Sequence, residues 1–199
     1  MFYRFRIPII MFSRLLGLLP KFILRWLYRL FQPWPGLFPV LIRYGVARNL
    51  CASLGDNVYI GNNVTIQFFE RLRIGSNVSI HTQSYIDANG GIDIGDDVSI
   101  AHASSLVSFD HSWDDPTLPI RKNPLITAPI QIASDVWIGA GVRILAGSRV
   151  PGRSVVAAGA VVTRKLESTT GSLIAGTPAR TVRSLTHPIC EPEHNAATA

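Results

Sequence analysis

From Leu54 onward an aliphatic residue recurs every six positions: Leu54, Ile60, Ile66; Ile74, Ile80, Ile86; Ile94, Ile100, Leu106; then Ile132, Ile138, Ile144, Val150, Val156 and Val162. Two places before many of these sits another small or branched residue, such as Val58, Val78, Val98, Val136 or Val142. The blocks LGDNVYIGNNVTI, IGSNVSI and IGDDVSI open at Leu54, Ile74 and Ile94, twenty residues apart, and IASDVWIGAGVRI opens at Ile132. A period of six fits neither an α-helix nor a long alternating strand. It does fit very short strands, in which residues two apart face the same side, joined by turns at the Gly, Asn and Asp clusters. Three such strands per coil enclose a three-sided prism filled with Ile, Val and Leu. No coil buries its apolar face alone, so the prediction is an all-β solenoid over residues 54–183.

The pattern breaks once. From Ile94 to Ile132 is 38 residues, where the earlier blocks take 20, so one coil is present together with an excursion of nearly equal length, about 108–130. Its sequence HSWDDPTLPIRKNPLITAP is rich in Pro and charge, which marks a surface loop. A loop thrown out from a rigid scaffold is a normal place for chemistry.

Residues 1–53 read differently, as a basic amphipathic arm. Residues 1–55 hold eight Lys or Arg and no Asp or Glu, so the net charge of +6 arises in the arm and the remainder is nearly neutral. In IPIIMFSRLLGLLPKFILRWLYRL, the positions of Arg14, Lys21, Arg25 and Arg29 predict amphipathic helices, the second opening at Pro20. The longest charge-free stretch, Leu30 to Ile42, is interrupted by Pro33, Pro35 and Pro39 and falls short of the roughly 20 apolar residues a bilayer span needs. No transmembrane helix is expected. No A-x-A cleavage pattern follows the apolar stretch, so the arm is expected to be retained. Two roles stay open for it. Residues 1–50 could lie on the anionic inner face of a membrane, or a pair of helices could cap the open end of the prism. Nucleic acid is not an expected partner, because the arm is too rich in Leu, Ile and Phe and carries no nucleic-acid module.

A length of 199 residues with 47% hydrophobic content suits one domain with extensions. Cys51 and Cys190 are far apart and give neither a disulfide framework nor metal-ligand spacing, which favours a reducing, cytoplasmic location. Residues 184–199 read as a flexible tail.

The repeats, above all VWIGAGVRILAGSRVPGRSVVAAGAVVTRKL and LIAGTPARTVR, resemble the hexapeptide-repeat acyltransferases, in particular the maltose and galactoside O-acetyltransferases and the polysaccharide O-acetyltransferase branch. The resemblance implies a left-handed parallel β-helix, an exception to the usual crossover hand. It also implies a homotrimer with each active site between two subunits, and acetyl-CoA as co-substrate with no metal required. In that family a histidine at the start of the excursion is the general base, and His111 in SFDHSWDD stands there. A sugar hydroxyl is a poor nucleophile until its proton is removed, and imidazole titrates near neutrality. No acyl-enzyme is required, in keeping with the lack of a recognisable Cys or Ser nucleophile motif. Asp110, Asp114 and Asp115 are candidates to orient the ring or bind sugar hydroxyls, and Trp113 is a further candidate for the acceptor.

One coil earlier, where galactoside-type enzymes place an acceptor-binding asparagine, this chain has His81, followed by Asp87 and Asn89. That departure leaves the acceptor open, while SYIDANGGIDIGDDVSIA favours the polysaccharide branch. The family's coenzyme contacts carry over to Ala140, Ala158, Thr163, Arg164, Arg180 and Arg183 along one groove. Small residues there would admit the pantetheine arm, and Arg would meet phosphates. Trp137 is expected to pack beside that groove. The implied function is O-acetylation of a sugar or lipid-linked glycan in capsule, exopolysaccharide or O-antigen biosynthesis. Alternatives are a xenobiotic (antibiotic) O-acetyltransferase, a γ-type zinc carbonic anhydrase using His81, His102 and His111, and a non-catalytic scaffold. The nine-residue gap from His102 to His111 and the GTPAR ending speak against the zinc enzyme.

Overall fold

The hexads stack in register on three faces. On the first face Leu54, Ile74, Ile94, Ile132 and Val150 are successive parallel partners. On the second they are Ile60, Ile80, Ile100, Ile138, Val156 and Ile174. On the third they are Ile66, Ile86, Leu106, Ile144 and Val162. All of these side chains are buried, and burying each contributes about 1.5–3 kcal/mol relative to exposure. Ile94 pairs directly with Ile132, so the excursion leaves the stack without shifting its register. The computed structural model describes residues 6–185, and the column makes about six left-handed turns.

Each coil has three corners. The corner between the first and second faces carries Asn57, Asn77, Asp97, Asp135 and Arg153, all with φ between 50° and 60°. Asn and Asp tolerate this left-handed conformation better than other side-chain-bearing residues. Their side chains also form a ladder: the Asn57 amide donates to Asn77 at 3.0 Å, and the Asn77 amide to Asp97 at 2.9 Å. The corner between the second and third faces is called the ledge corner below. The one between the third and first faces is the loop corner.

Three helices precede the column: α1 (Arg6–Leu16), α2 (Lys21–Phe31) and α3 (Leu37–Leu50). Pro20 is the N-cap of α2, as the pattern suggested. The third helix exceeds the expected pair. Pro39 sits in the first turn of α3, where a missing N–H costs nothing, so it does not end the helix. This helix closes the open end of the column, burying Val40, Ile42, Val46 and Leu50, with α1 and α2 packed on it. At its centre the fully buried Arg43 donates to the carbonyls of Ile60 at 2.9 Å, Phe31 at 2.7 Å and Trp34 at 2.9 Å. Burial lowers the pKa of this guanidinium, and the nearby Tyr28 opposes the shift. The Tyr28 hydroxyl donates to the Val64 carbonyl at 3.0 Å and ties α2 to the first coil. Capping is thus a structural role of the arm. Among the described residues no helix is long and apolar enough to cross a membrane.

At the far end Ser172–Gly176 pairs with Val156's strand and then with Ala179–Ser184, which runs antiparallel and covers the exposed edge of the second face. The tail expected at 184–199 lies, beyond Leu185, outside the described residues, as does Cys190.

Candidate active site

The excursion leaves at the loop corner as a short antiparallel hairpin, Phe109–His111 against Leu125–Thr127, with His111 opposite Leu125. Its base is fastened to the coil before it. The Ser108 hydroxyl donates to the Asp87 carbonyl at 2.8 Å and accepts the Gly90 N–H at 2.8 Å, and the Ala128 N–H donates to the Ser108 carbonyl at 3.0 Å. The loop beyond is held by its own side chains. The Ser112 hydroxyl donates to Asp114 at 2.6 Å, Asp115 accepts from Thr117, and the buried Asn123 accepts the Asp115 N–H at 3.1 Å. The side-chain and backbone hydrogen bonds from Thr117 lower the pKa of the exposed Asp115. Asp114 and Asp115 therefore serve the loop's own geometry.

His111 sits at the neck of this hairpin, exposed, and no side-chain partner holds its ring among the described residues. Asp110 is likewise exposed, and Trp113 is 69% exposed at the hairpin's mouth. Asp87 and Asn89 lie at the same corner, one coil earlier. The Asp87 carboxylate is buried; it accepts the Tyr85 hydroxyl at 3.2 Å and the Asn89 N–H at 3.2 Å. Burial, and then the Asp87 charge, raise the pKa of Tyr85. The Arg71 guanidinium donates to the Asn89 carbonyl and, at 3.2 Å, to its side-chain oxygen. Tyr85 and Arg71 were not singled out from the sequence. Tyr85 could have been, since it stands two residues before Asp87 on a strand and so projects from the same face.

His81 is elsewhere. It occupies the ledge corner, exposed, with its ring centroid 5.7 Å from that of Tyr59, and His102 follows on the next coil. The three histidines of the zinc alternative are thus divided between two corners of one chain. Among the described residues no three His, Cys, Asp or Glu side chains cluster as a metal ion would need.

The coenzyme candidates also divide. Ala140 and Ala158 stack on successive coils of the ledge corner, where the Gly159 N–H donates to the Ala140 carbonyl at 2.9 Å. Arg180 lies opposite Ala175 at the same end of the second face, whereas Arg183 lies opposite Leu173 toward its other end. Thr163 and Arg164 sit at the loop corner, with the Arg164 side chain beside Gly147. One chain therefore presents these residues on two corners, separated by the third face. Trp137 is 56% exposed on the outer side of the second face, in register with Ser99 and Val155, so among the described residues nothing covers it.

The ledge fits a long, thin acyl carrier. A methyl group added at Gly139 would meet the Ala158 nitrogen at 2.6 Å, so the coils there are already as close as backbone allows. The outer positions Gly141 and Gly159 face open space. The result is a shelf of glycines and alanines, with exposed Arg164, Lys165 and Arg180 at the same end of the column as candidate phosphate partners.

No protein-family model matches the chain. A protein of Mycobacterium tuberculosis named as a probable acetyltransferase is 35% identical over 133 residues, covering 66% of this chain but 44% of that longer protein. An Escherichia coli protein whose name assigns it provisionally to O-acetyl transfer in lipopolysaccharide biosynthesis is 28% identical over 159 residues, covering 75% of this chain and 78% of that one. The solved structure of a hexapeptide-repeat-containing acetyltransferase from Vibrio cholerae, complexed with acetyl coenzyme A, superimposes with a TM-score of 0.72 at 31% identity, covering 82% of this chain and 86% of that one. The chain belongs to the hexapeptide-repeat acetyltransferases. For a member of this family, the break at residue 108 is an insertion between two coils that otherwise pair without a gap.

Proposed function

We propose that this hexapeptide-repeat acetyltransferase moves an acetyl group from acetyl-CoA to a hydroxyl of a sugar in a surface polysaccharide or its lipid-linked precursor, with His111 as general base. The observation that carries the reading is an exposed imidazole, without a side-chain partner among the described residues, at the neck of a hairpin that is itself stapled to the coil at Asp87. The E. coli relative's name supports a glycan as acceptor.

In the reaction a ring nitrogen of His111 takes the proton of the acceptor hydroxyl as its oxygen attacks the thioester carbonyl carbon. The tetrahedral oxyanion collapses, the C–S bond breaks, and the imidazolium returns the proton to the departing thiolate. Backbone N–H groups of a neighbouring coil would stabilise the oxyanion. Asp87, Asn89, Asp110 and Trp113 border the acceptor side, and Ala140, Ala158, Thr163, Arg164 and Arg180 the coenzyme side. Because a single chain carries Asp87, Asn89, His111, Thr163 and Arg164 at the loop corner but Ala140, Ala158 and Arg180 at the ledge, the reading includes a parallel homotrimer in which the loop corner of one prism faces the ledge corner of the next. His81, on the ledge, then meets the acceptor from the neighbouring chain.

Acetyl-CoA turnover with a panel of glycan acceptors tests the proposal. His111→Gln should lower kcat/KM by about 10² to 10⁴, the usual worth of a positioned general base. Equal rates for variant and parent would remove His111 from the mechanism, and a monomer in solution at full activity would remove the shared site.

A further inference from the structure

The capping role of α1–α3 accounts for only one side of these helices. On α1, Phe12, Ser13 and Leu16 turn toward α3, while Ile7, Met11 and Leu15, with Leu18 just beyond, form an exposed stripe at helical spacing. On α2, Leu24 and Tyr28 are buried, and Phe22, Trp26 and Leu30 form a second exposed stripe, with Phe22 at 73% and Trp26 at 61% exposure. Beside it run Lys21, Arg25 and Arg29, also four residues apart. Trp34, in the turn after α2, is equally exposed. Apolar rows of this length are unusual on a soluble surface and mark an interaction site.

We propose that this surface docks on an anionic phospholipid bilayer, the two stripes entering the headgroup boundary and the cationic row meeting lipid phosphates. Charge decides the occupant. Residues 6–55 contain no Asp or Glu, and among the described residues Arg14, Lys21 and Arg29 have no carboxylate partner, while Arg25 shares Glu70 at 3.0 Å with both side chains half exposed. A second copy of the chain laid on this surface face to face would oppose like charge to like. An acidic lipid surface complements it, and each Lys or Arg near such a surface strengthens binding about five-fold. Trp26 and Trp34 are residues that favour the water–lipid boundary. The helices are also short, with alternating faces, and suited to lying in the interface rather than crossing it.

Co-sedimentation of the full-length protein with vesicles tests this without acetyl-CoA, so its outcome is separate from that of the turnover assay. Binding is expected to vesicles containing one part phosphatidylglycerol to two parts phosphatidylcholine, and to fall sharply with phosphatidylcholine alone. Lys21→Gln combined with Arg29→Gln should weaken it roughly 25-fold at low salt. Phe22→Ser with Trp26→Ser should weaken it at least about ten-fold with unchanged circular dichroism and sizing profile. In the parent protein, brominated lipids should quench tryptophan fluorescence, a readout that needs no variant. The proposal is overturned if the parent does not sediment with anionic vesicles, or if brominated lipids leave its fluorescence unchanged. It is also overturned if the Phe22 and Trp26 changes alter the oligomeric state while vesicle binding persists, which would put a second copy on the stripe.

Discussion

Replacing Arg43 by Met keeps most of the aliphatic stem and deletes the guanidinium that joins three segments. The Ile60 carbonyl is deep in the first coil and loses a charge-assisted donor with no solvent to replace it, at a cost of about 1–3 kcal/mol. The Phe31 and Trp34 carbonyls end α2 and its following turn and are nearer to water, so each lost bond costs about 0.5–1.5 kcal/mol. Against this stands relief from burying a cation, the same desolvation that depresses the Arg43 pKa. The net expectation is about 2–5 kcal/mol, felt by the cap and not by the distant coils. Hydrogen exchange read by mass spectrometry localises it. Amides of α2 and α3 should exchange about 30-fold to several thousand-fold faster, the equivalent of that energy, while coils from Ile94 to Val162 keep their protection. Unchanged exchange in α2 and α3 would refute the view that this one side chain fastens the cap, and uniform loss across the column would refute its locality.

Ile100→Ala removes a fully buried side chain stacked between Ile80 and Ile138 and should cost about 2–5 kcal/mol in a urea titration, where an Ile126→Ala change on the exposed hairpin should cost far less. Cys51 should resist alkylation. Burial first, and then the charge of Glu70, push its thiol from 9.0 up to about 12, so at pH 8 the folded protein should react about a thousand-fold more slowly at this position than the unfolded chain. Because that shift is upward, its contribution to stability is complete below the unfolded value of 9.0 and declines as pH rises toward about 12; a cap that tightened over that interval would contradict the assignment. Arg164→Ala should raise KM for acetyl-CoA several-fold with kcat nearly unchanged, as expected for loss of a phosphate contact made equally in ground and transition states.

The column was legible because one physical rule governs every coil: residues two apart on a short strand share a side, and a turn must follow. Hence each Ile and Val of the hexads found its registered partner, and even the excursion could be bracketed by the spacing of Ile94 and Ile132. The third helix escaped notice for the opposite reason. Its residues from Ile42 to Ala47 are buried on every side, so it lacks the polar face that gives amphipathic helices their period, and Pro39 reads as an interruption until its place in the first turn is known. Arg43 was not singled out, since only the fold reveals three carbonyls converging on it. The separation of Ala140 from Arg164 depends on which corner each residue occupies, and that follows from coil phase and not from motif order. Asp87 stood out in the sequence, but its partner Tyr85 did not, although the two-residue spacing on one strand was signal enough to pair them.

The loop departs from the third coil, and each coil advances the column by one strand spacing. About 10 Å, at ~4.8 Å per step, therefore lies between the first coil, on which the helical cap rests, and the coil that carries His111. Height along this axis comes only in whole increments. Inserting or deleting one twenty-residue unit between Leu54 and Ile94 would leave every corner facing as before and merely lengthen or shorten the pedestal, so the standoff between the cap's outer surface and the hairpin is a quantity evolution or design can adjust digitally.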